Sequence, residues 1–464
     1  MKALRHWSVR HAGVLKSVYD ACAHMAPRLR PLLHAFGGER AEHLIRPVEK
    51  FSKELLFDCR MCGQCVLSTT GMACPTNCAK SMRNGPCGGV RTDGGCEVDP
   101  AMRCVWIEAS EGQRRAGRGT ASRDMHLPID HRLQGRSTWT RVIDGNPPPA
   151  IVSHSDSAPV SFDASQVFVK ACASGRFVVT VEVAPPDSPD PEALLRRARV
   201  FDGLVDAINI TDGAGGNCHM SSAAAAALLA AHGFTPVCQI ACRDRNRIAV
   251  QGDILGAAAL GVHNFLCLTG DDVSQGDHPE AKPVFDLDAV SLLRIARDMR
   301  DKAVFASGRK LDLAPDLFLG ATANPFVPPF LDRIANLELK IDAGAQFIQT
   351  QFCFDIAAME TFMREIRARE LHKRAAIIVG VGTLASARAL RWMAEHVPGV
   401  HVPDVVTRRM AAAADQKAEG LRMLTETMLA LRAIEGVAGV HLMGHRNEET
   451  LAEAIRTSGL REAA

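Results

Sequence analysis

From Arg176 onward the chain alternates short apolar runs with longer stretches whose apolar residues recur at helical spacing. Eight runs read as strands: Phe177–Val183, Leu204–Thr211, Pro236–Cys242, Asn264–Gly270, Phe318–Ala323, Gln346–Phe352, Ala375–Val381 and Gly439–Met443. They are apolar nearly throughout and rich in Val, Ile and Phe, which predicts a parallel sheet covered on both faces. The intervening helices carry start and stop signals. Asp190 precedes Pro191 and Glu192, an N-cap followed by proline in the first turn. Ser221-Ser222 opens an alanine-rich helix that closes at Gly233. Eight strand–helix units over residues 166–464 fit a (β/α)8 barrel, an α/β fold, better than an open doubly wound sheet. The competing dinucleotide fingerprint fails at Gly213-Ala214-Gly215-Gly216, where the third glycine and the later acid are missing.

Upstream the texture is different. Residues 1–50 carry nine Lys/Arg, four acids and five His in a helix-compatible pattern interrupted by Pro27, Pro31 and Pro47. This predicts a helical arm whose basic face is solvated or docks on the protein's own body. Residues 51–111 form a cysteine-rich segment, and residues 112–165, rich in Gly, Ser, Arg and Pro, read as an extended linker.

Composition narrows the function classes. A net charge of +2, one tyrosine and four tryptophans leave little for a nucleic-acid surface. No apolar run reaches the about 18 residues of a membrane helix, and the basic start leads into no secretory apolar region. A cytoplasmic, reducing compartment is expected. Eight of the 15 cysteines fall between Cys59 and Cys104, where metal ligation is a better reading than disulfides. Cys59, Cys62 and Cys65, followed by Cys74-Pro75, have the spacing of a [4Fe–4S] ligand run rather than paired zinc knuckles. Cys78, Cys87, Cys96 and Cys104 could hold a second cluster or a zinc, and spacing does not say which four group.

In a (β/α)8 barrel, polar residues at the C-terminal strand ends converge on one pocket. Those residues here are Glu182, Thr211, Asp212, Gln239, Thr269, Asp271, Asn324 and Gln351. A ring of acids and amides without clustered His or Cys points to proton chemistry and amide recognition rather than a metal. Glu182 lies between Val181 and Val183 before Pro185-Pro186, where desolvation favours the protonated carboxyl of a general acid.

The stretches carrying these residues resemble the methylenetetrahydrofolate reductase family. They include Val181–Pro186, Asn209–Ala214, Cys242–Arg247, Leu268–Asp271, Lys340–Ala345 and Gln349–Asp355, in the family's order. The resemblance implies a flavin barrel, with FAD or alternatively FMN, that interconverts 5,10-methylene- and 5-methyltetrahydrofolate. It implies that Glu182 is the acid acting as the methylene bridge opens, with a hydride passing between flavin and that carbon. Asp271 would stabilise the cationic iminium, and Gln351 would bond the pterin. Thr211, Asp212, Gly213, Ala214, Gln239, Thr269, Gly270, Asp271, Asn324 and Lys340 would line the flavin. Gln239, Thr269, Asp212, Asn324 and Met393 depart from residues found in some members, which leaves NAD(P)H as direct donor open.

Phe57–Trp106 is similar to the cysteine-rich module that accompanies reductases of acetogens as a partner subunit or a fusion. Cys62-Gly63-Gln64-Cys65, Cys74-Pro75-Thr76-Asn77-Cys78 and Asn84–Gly89 carry that likeness. It implies an iron–sulfur or zinc domain that either exchanges electrons, with a redox protein as partner, or only folds the segment. A redox adaptor without catalysis is the competing reading. A metal-dependent methyltransferase is disfavoured, because only Cys242 and Cys353 lie near strand ends. Homo-oligomerisation is left open.

Overall fold

The computed structural model describes residues 2–117, 124–145, 151–152, 167–444 and 446–461. The chain forms two compact units. Cys87–Thr92 and Ser157–Ala464 make one; Met1–Pro86 and Asp93–Asp156 make the other.

The larger unit is a closed barrel of eight parallel strands: β1 (Val178–Val183), β2 (Ala207–Ile210), β3 (Pro236–Ala241), β4 (Asn264–Leu268), β5 (Phe318–Ala323), β6 (Phe347–Phe352), β7 (Ala376–Gly382) and β8 (Val437–Met443). They neighbour one another in chain order, and β8 closes on β1. All eight predicted strands are present. The largest boundary difference is in β2, which starts three residues later than expected at Leu204. The predicted caps also hold. Asp190 accepts from Glu192 N at 3.0 Å, and the alanine-rich helix Ser222–Ala231 ends before Gly233 at φ +83°.

Side chains inside the barrel lie in layers because successive residues of a strand alternate in direction. Val178, Ala207, Val237, Leu266, Phe318, Phe347 and Ile378 form the apolar bottom layer with Phe168. Phe168 belongs to a short helix, Val167–Ala173, and meets the rings of Phe318 and Phe347 edge-on at 5.5 and 5.2 Å. It plugs the N-terminal end and leaves chemistry to the other.

The smaller unit is built on helices Lys2–Arg10, Ala12–Met25, Arg30–Phe36, Gly38–Phe57 and Val105–Arg115 around the cysteine loops. Arm, cysteine segment and part of the expected linker thus share one unit, while Cys87–Thr92 clusters with the barrel. Pro27 and Pro31 sit in first helical turns, where proline is tolerated. Pro47 does not break the chain as expected, because it lies inside Gly38–Phe57. That helix is pinned on both sides of the proline. Glu42 accepts from Ser137 N at 2.6 Å, and Glu49 accepts from Thr138 N at 3.2 Å.

The linker expected at 112–165 is corrected for its described part. Asn84 bonds both the N–H and the C=O of His126, at 2.8 and 2.9 Å, and a helix spans Thr138–Ile143 with Ser137 as its N-cap. Side chains far away in sequence provide this order, so local composition does not reveal it. Residues 118–123, 146–150 and 153–165 of that expected linker lie outside the described residues. No described helix is long and apolar enough to cross a membrane.

Candidate functional site

Above the apolar bottom layer of the barrel lies a buried polar one. Asn209 and Gln349 pair through both amides, at 2.6 and 3.1 Å. Gln349 Nε2 also lies 3.3 Å from Thr180 Oγ1 and 3.3 Å from His441 Nδ1, which is 2.9 Å from Thr180 Oγ1. Buried polar groups without partners are costly, and this layer satisfies its members with one another. These four residues lie outside the set of strand-end candidates. Part of their signal was legible: Thr180 and Asn209 each stand two positions before a predicted site residue and so face the same way.

Glu182 sits one layer higher at the end of β1. Its Oε2 accepts from Gln239 Nε2 at 3.2 Å and lies 4.0 Å from His441 Nε2. The side chain keeps 27% of its exposure, so it is more open than its valine flanks suggested. Those valines point away from the pocket and do not dehydrate it.

The loops after β2 and β4 lock together beside it. Gly213 and Gly215 take left-handed φ of +59° and +67°, and Gly215 N donates to Asp271 Oδ2 at 2.8 Å. Gly270, at φ +98°, packs its Cα against Ala241 and Arg243. Arg243 Nη1 donates to Gly213 O at 2.8 Å, and a Cβ on Gly213 would strike that guanidinium at 2.3 Å. Ala214 lies in the short turn Ala214–Gly216. Thr211, 2% exposed, has an Oγ1 without a partner among the described residues.

Each of the other expected site residues makes a hydrogen bond within the barrel unit. The Asp212 carboxylate accepts from Ala241 N at 2.8 Å, Arg245 Nη1 at 2.6 Å and Ser222 Oγ at 3.0 Å. That internal set occupies both its oxygens, and Arg245, 33 positions away, was not anticipated as its partner. Thr269 Oγ1 accepts from Ala289 N at 3.2 Å. Asn324 is buried, its Nδ2 donating to Gly88 O at 2.7 Å and Gly399 O at 2.8 Å and its Oδ1 accepting from Phe326 N at 3.1 Å. With these bonds its amide serves the backbone rather than an open pocket. Gln351 Oε1 accepts from Phe352 N at 3.0 Å, and Gln351 remains half-buried. Lys340 Nζ donates to Thr322 O at 2.7 Å, and burial, with the Arg333 cation adding to it, pushes its pKa down to about 8.

These residues fit a polar cofactor: an unpartnered buried hydroxyl at Thr211, a glycine loop that brings backbone close, and a lysine ammonium whose charge is disfavoured where it stands.

In the smaller unit, Cys59, Cys62, Cys65 and Cys74 line one cavity together with Glu49, Lys53, Thr76 and Arg83. Cys59 Sγ accepts from Met61 N at 3.3 Å, and Cys74 Sγ lies 3.0 Å from Thr76 Oγ1. The Cys59–Cys74 hydrogen bond holds the Cys74 thiol down to about 6, against the effect of burial, and pushes the Cys59 thiol up. Burial raises Cys62. Among the described residues, no group of three or more His, Cys, Asp or Glu is gathered as for a single metal ion. Four thiols lining one cavity are a donor set chemically suited to a [4Fe–4S] cube or to a zinc ion. Of the other four, Cys87 belongs to the barrel unit, where its carbonyl accepts from Arg333 Nη1 at 2.6 Å. Cys96 and Cys104 flank the bridge between Gly95 and Arg103, and Cys78 is half-buried.

Residues 168–459, more than half of the chain, match the family described as Methylenetetrahydrofolate reductase. Residues 39–132 match a second, described as Methylene-tetrahydrofolate reductase C terminal. A search of the curated proteins finds no match. Similar solved structures include an uncharacterized protein from Clostridium thermocellum that binds two copies of 5-methyl-5,6,7,8-tetrahydrofolic acid. It is 13% identical with a TM-score of 0.45, covering 63% of this chain and 98% of that one. A 2,3-dimethylmalate lyase of the PEP mutase/isocitrate lyase superfamily is 14% identical with a TM-score of 0.38, covering 64% and 86%. A putative lyase/mutase from Burkholderia cenocepacia J2315 is 17% identical with a TM-score of 0.35, covering 63% and 84%.

Proposed function

Because the chain belongs to the methylenetetrahydrofolate reductase family, we propose that its barrel interconverts 5,10-methylene- and 5-methyltetrahydrofolate. The observation that carries this reading is Glu182, a carboxyl at the mouth whose Oε2 is engaged by Gln239 and faced by His441. Bound FAD would supply or accept the hydride at the folate carbon. Glu182 gives a proton to the amine released as the methylene bridge opens, and takes it back in the reverse direction. Gln239 and the polar layer below hold that carboxyl in place, so its proton meets one atom. Asp271, oriented by Gly215 N, places negative charge where the iminium cation develops. Gln351 bonds the pterin edge. Thr211, Gly213, Ala214 and Lys340 are the residues proposed to hold the flavin. Asp212, Thr269 and Asn324 act behind them, as supports of the loops.

The same reading assigns a [4Fe–4S] cluster to Cys59, Cys62, Cys65 and Cys74, supported by the shared cavity. Its role is electron exchange with a redox protein.

Glu182→Gln tests the central role. The variant keeps the shape and the Gln239 contact but has no proton to give. Flavin content should be unchanged, while folate turnover falls by about 10²–10⁴-fold, the usual scale for a positioned acid. Near-normal turnover with flavin bound would remove Glu182 from the mechanism.

A further inference from the structure

The buried face of helix Gly38–Phe57 carries charge where packing alone would favour apolar side chains. Glu49 and Lys53, one turn apart, form an ion pair at 2.5 Å with both side chains almost fully covered. Both line the cavity shared by Cys59, Cys62, Cys65 and Cys74. The end of the helix places the first of these thiols. Asp58 turns left-handed at φ +53°, and Cys59 N donates to Lys53 O at 3.3 Å. Glu49 does not serve Lys53 alone. Its oxygens also accept from Ser137 Oγ, from Thr138 N at 3.2 Å and from Trp139 N at 3.3 Å. The carboxylate is thus shared among several donors, and it anchors the ammonium without fully cancelling its charge. Arg83 is a second cation at the cavity, tied by Nε to Leu127 O at 3.1 Å and by Nη2 to Gln64 O at 3.3 Å.

We propose that Lys53 raises the reduction potential of an iron–sulfur group held by Cys59, Cys62, Cys65 and Cys74, with Glu49 as the anchor that fixes the ammonium at the cavity wall. The inference rests on the cluster reading above, and it gives the arm a task that this reading leaves open. Lys53 acts when one electron arrives from the redox protein. The thiolate-bound group then becomes more negative by one charge, no bond forms or breaks, and the fixed ammonium favours the reduced form. Phe57, Leu67 and Met72 pack beside Cys65 and Cys74, and a charge counts for more where apolar groups replace water. A site that only folds the segment needs neither the ammonium nor its anchor, because apolar side chains of similar volume replace a buried ion pair at little or no cost in stability. Tuning and packing therefore differ in what they predict. If Lys53 tunes, removing the cation and removing its anion must move the potential in opposite directions.

Metal analysis of the full chain, followed by an anaerobic redox titration read from the low-temperature spin resonance of the reduced cluster, tests it. Lys53→Met should keep iron and shift the one-electron equilibrium toward the oxidised form by about tenfold, a fall of about 59 mV in potential. Lys53→Arg keeps the charge and should stay within about threefold of the wild-type equilibrium. Glu49→Gln removes the anion and should shift the equilibrium toward the reduced form. An iron-loaded Lys53→Met protein with the wild-type potential overturns the proposal. A shift of the same sign in Lys53→Met and Glu49→Gln overturns it too, because a loosened cavity would produce that. Where Lys53→Met holds no iron, Glu49→Gln decides, and a potential at or below the wild type overturns the proposal. A wild-type chain that holds zinc and no iron overturns the cluster reading itself, and the proposal with it, at the metal analysis and before any potential is measured.

Discussion

Lys340 shows how much a single side chain can tell. Its ammonium sits against the Thr322 carbonyl with little water around it, and its pKa falls from 10.5 to about 8. Below pH 8 it is charged both in the fold and in the unfolded chain, so the penalty for burying it is constant. Between about pH 8 and 10.5 the unfolded chain binds more protons than the folded one, and stability contributed at this site rises with pH. Denaturation midpoints of the wild type should therefore gain on those of Lys340→Met across that window. Parallel pH profiles for the two proteins would contradict the dehydrated lysine. At this scale the sequence was informative where alternation sets direction. Glu182 and Thr211 follow Thr180 and Asn209 by two residues and share their direction, whereas a bulge between Gln349 and Phe352 interrupts that alternation before Gln351. The internal partners were not legible: nothing local marks Arg245 as the partner of Asp212, and the backbone that Asn324 bonds, at Gly88 and Gly399, is remote in sequence.

At the scale of elements, the strands were legible because burial on both faces leaves nearly unbroken apolar runs. Their packing was not legible, and β5 illustrates why. Gly320 looks like an interruption in Phe318–Ala323, but the Phe347 ring of β6 lies against its Cα. A Cβ there would meet the ring at 2.2 Å. Gly320→Ala should thus destabilise the barrel by about 1–3 kcal/mol through overpacking, despite alanine's better fit to a strand. Urea midpoints measure it, and a neutral or stabilising result would contradict the close approach. Pro47 teaches the converse. A residue that breaks helices in isolation is carried when Glu42 and Glu49 tie the helix to one segment, residues 137–139.

At the scale of the whole molecule, the chain joins two units with separate chemistries: acids and amides in a barrel, thiols around a cavity in a helical unit. Cys62→Ser should lose metal while the barrel keeps its flavin, read as iron, zinc and flavin per chain. Unchanged metal content would remove Cys62 from the ligand set, and zinc without iron would replace the cluster by a zinc site. A folate-linked flavin oxidoreductase, the role proposed for the barrel, would show itself in an anaerobic absorption spectrum of the full chain titrated with 5-methyltetrahydrofolate. The protein should carry a bound flavin whose visible band bleaches as the folate is added, with broader iron–sulfur absorption beside it. A flavin that stays oxidised throughout the titration, or a barrel that takes up none when FAD is supplied, would contradict it.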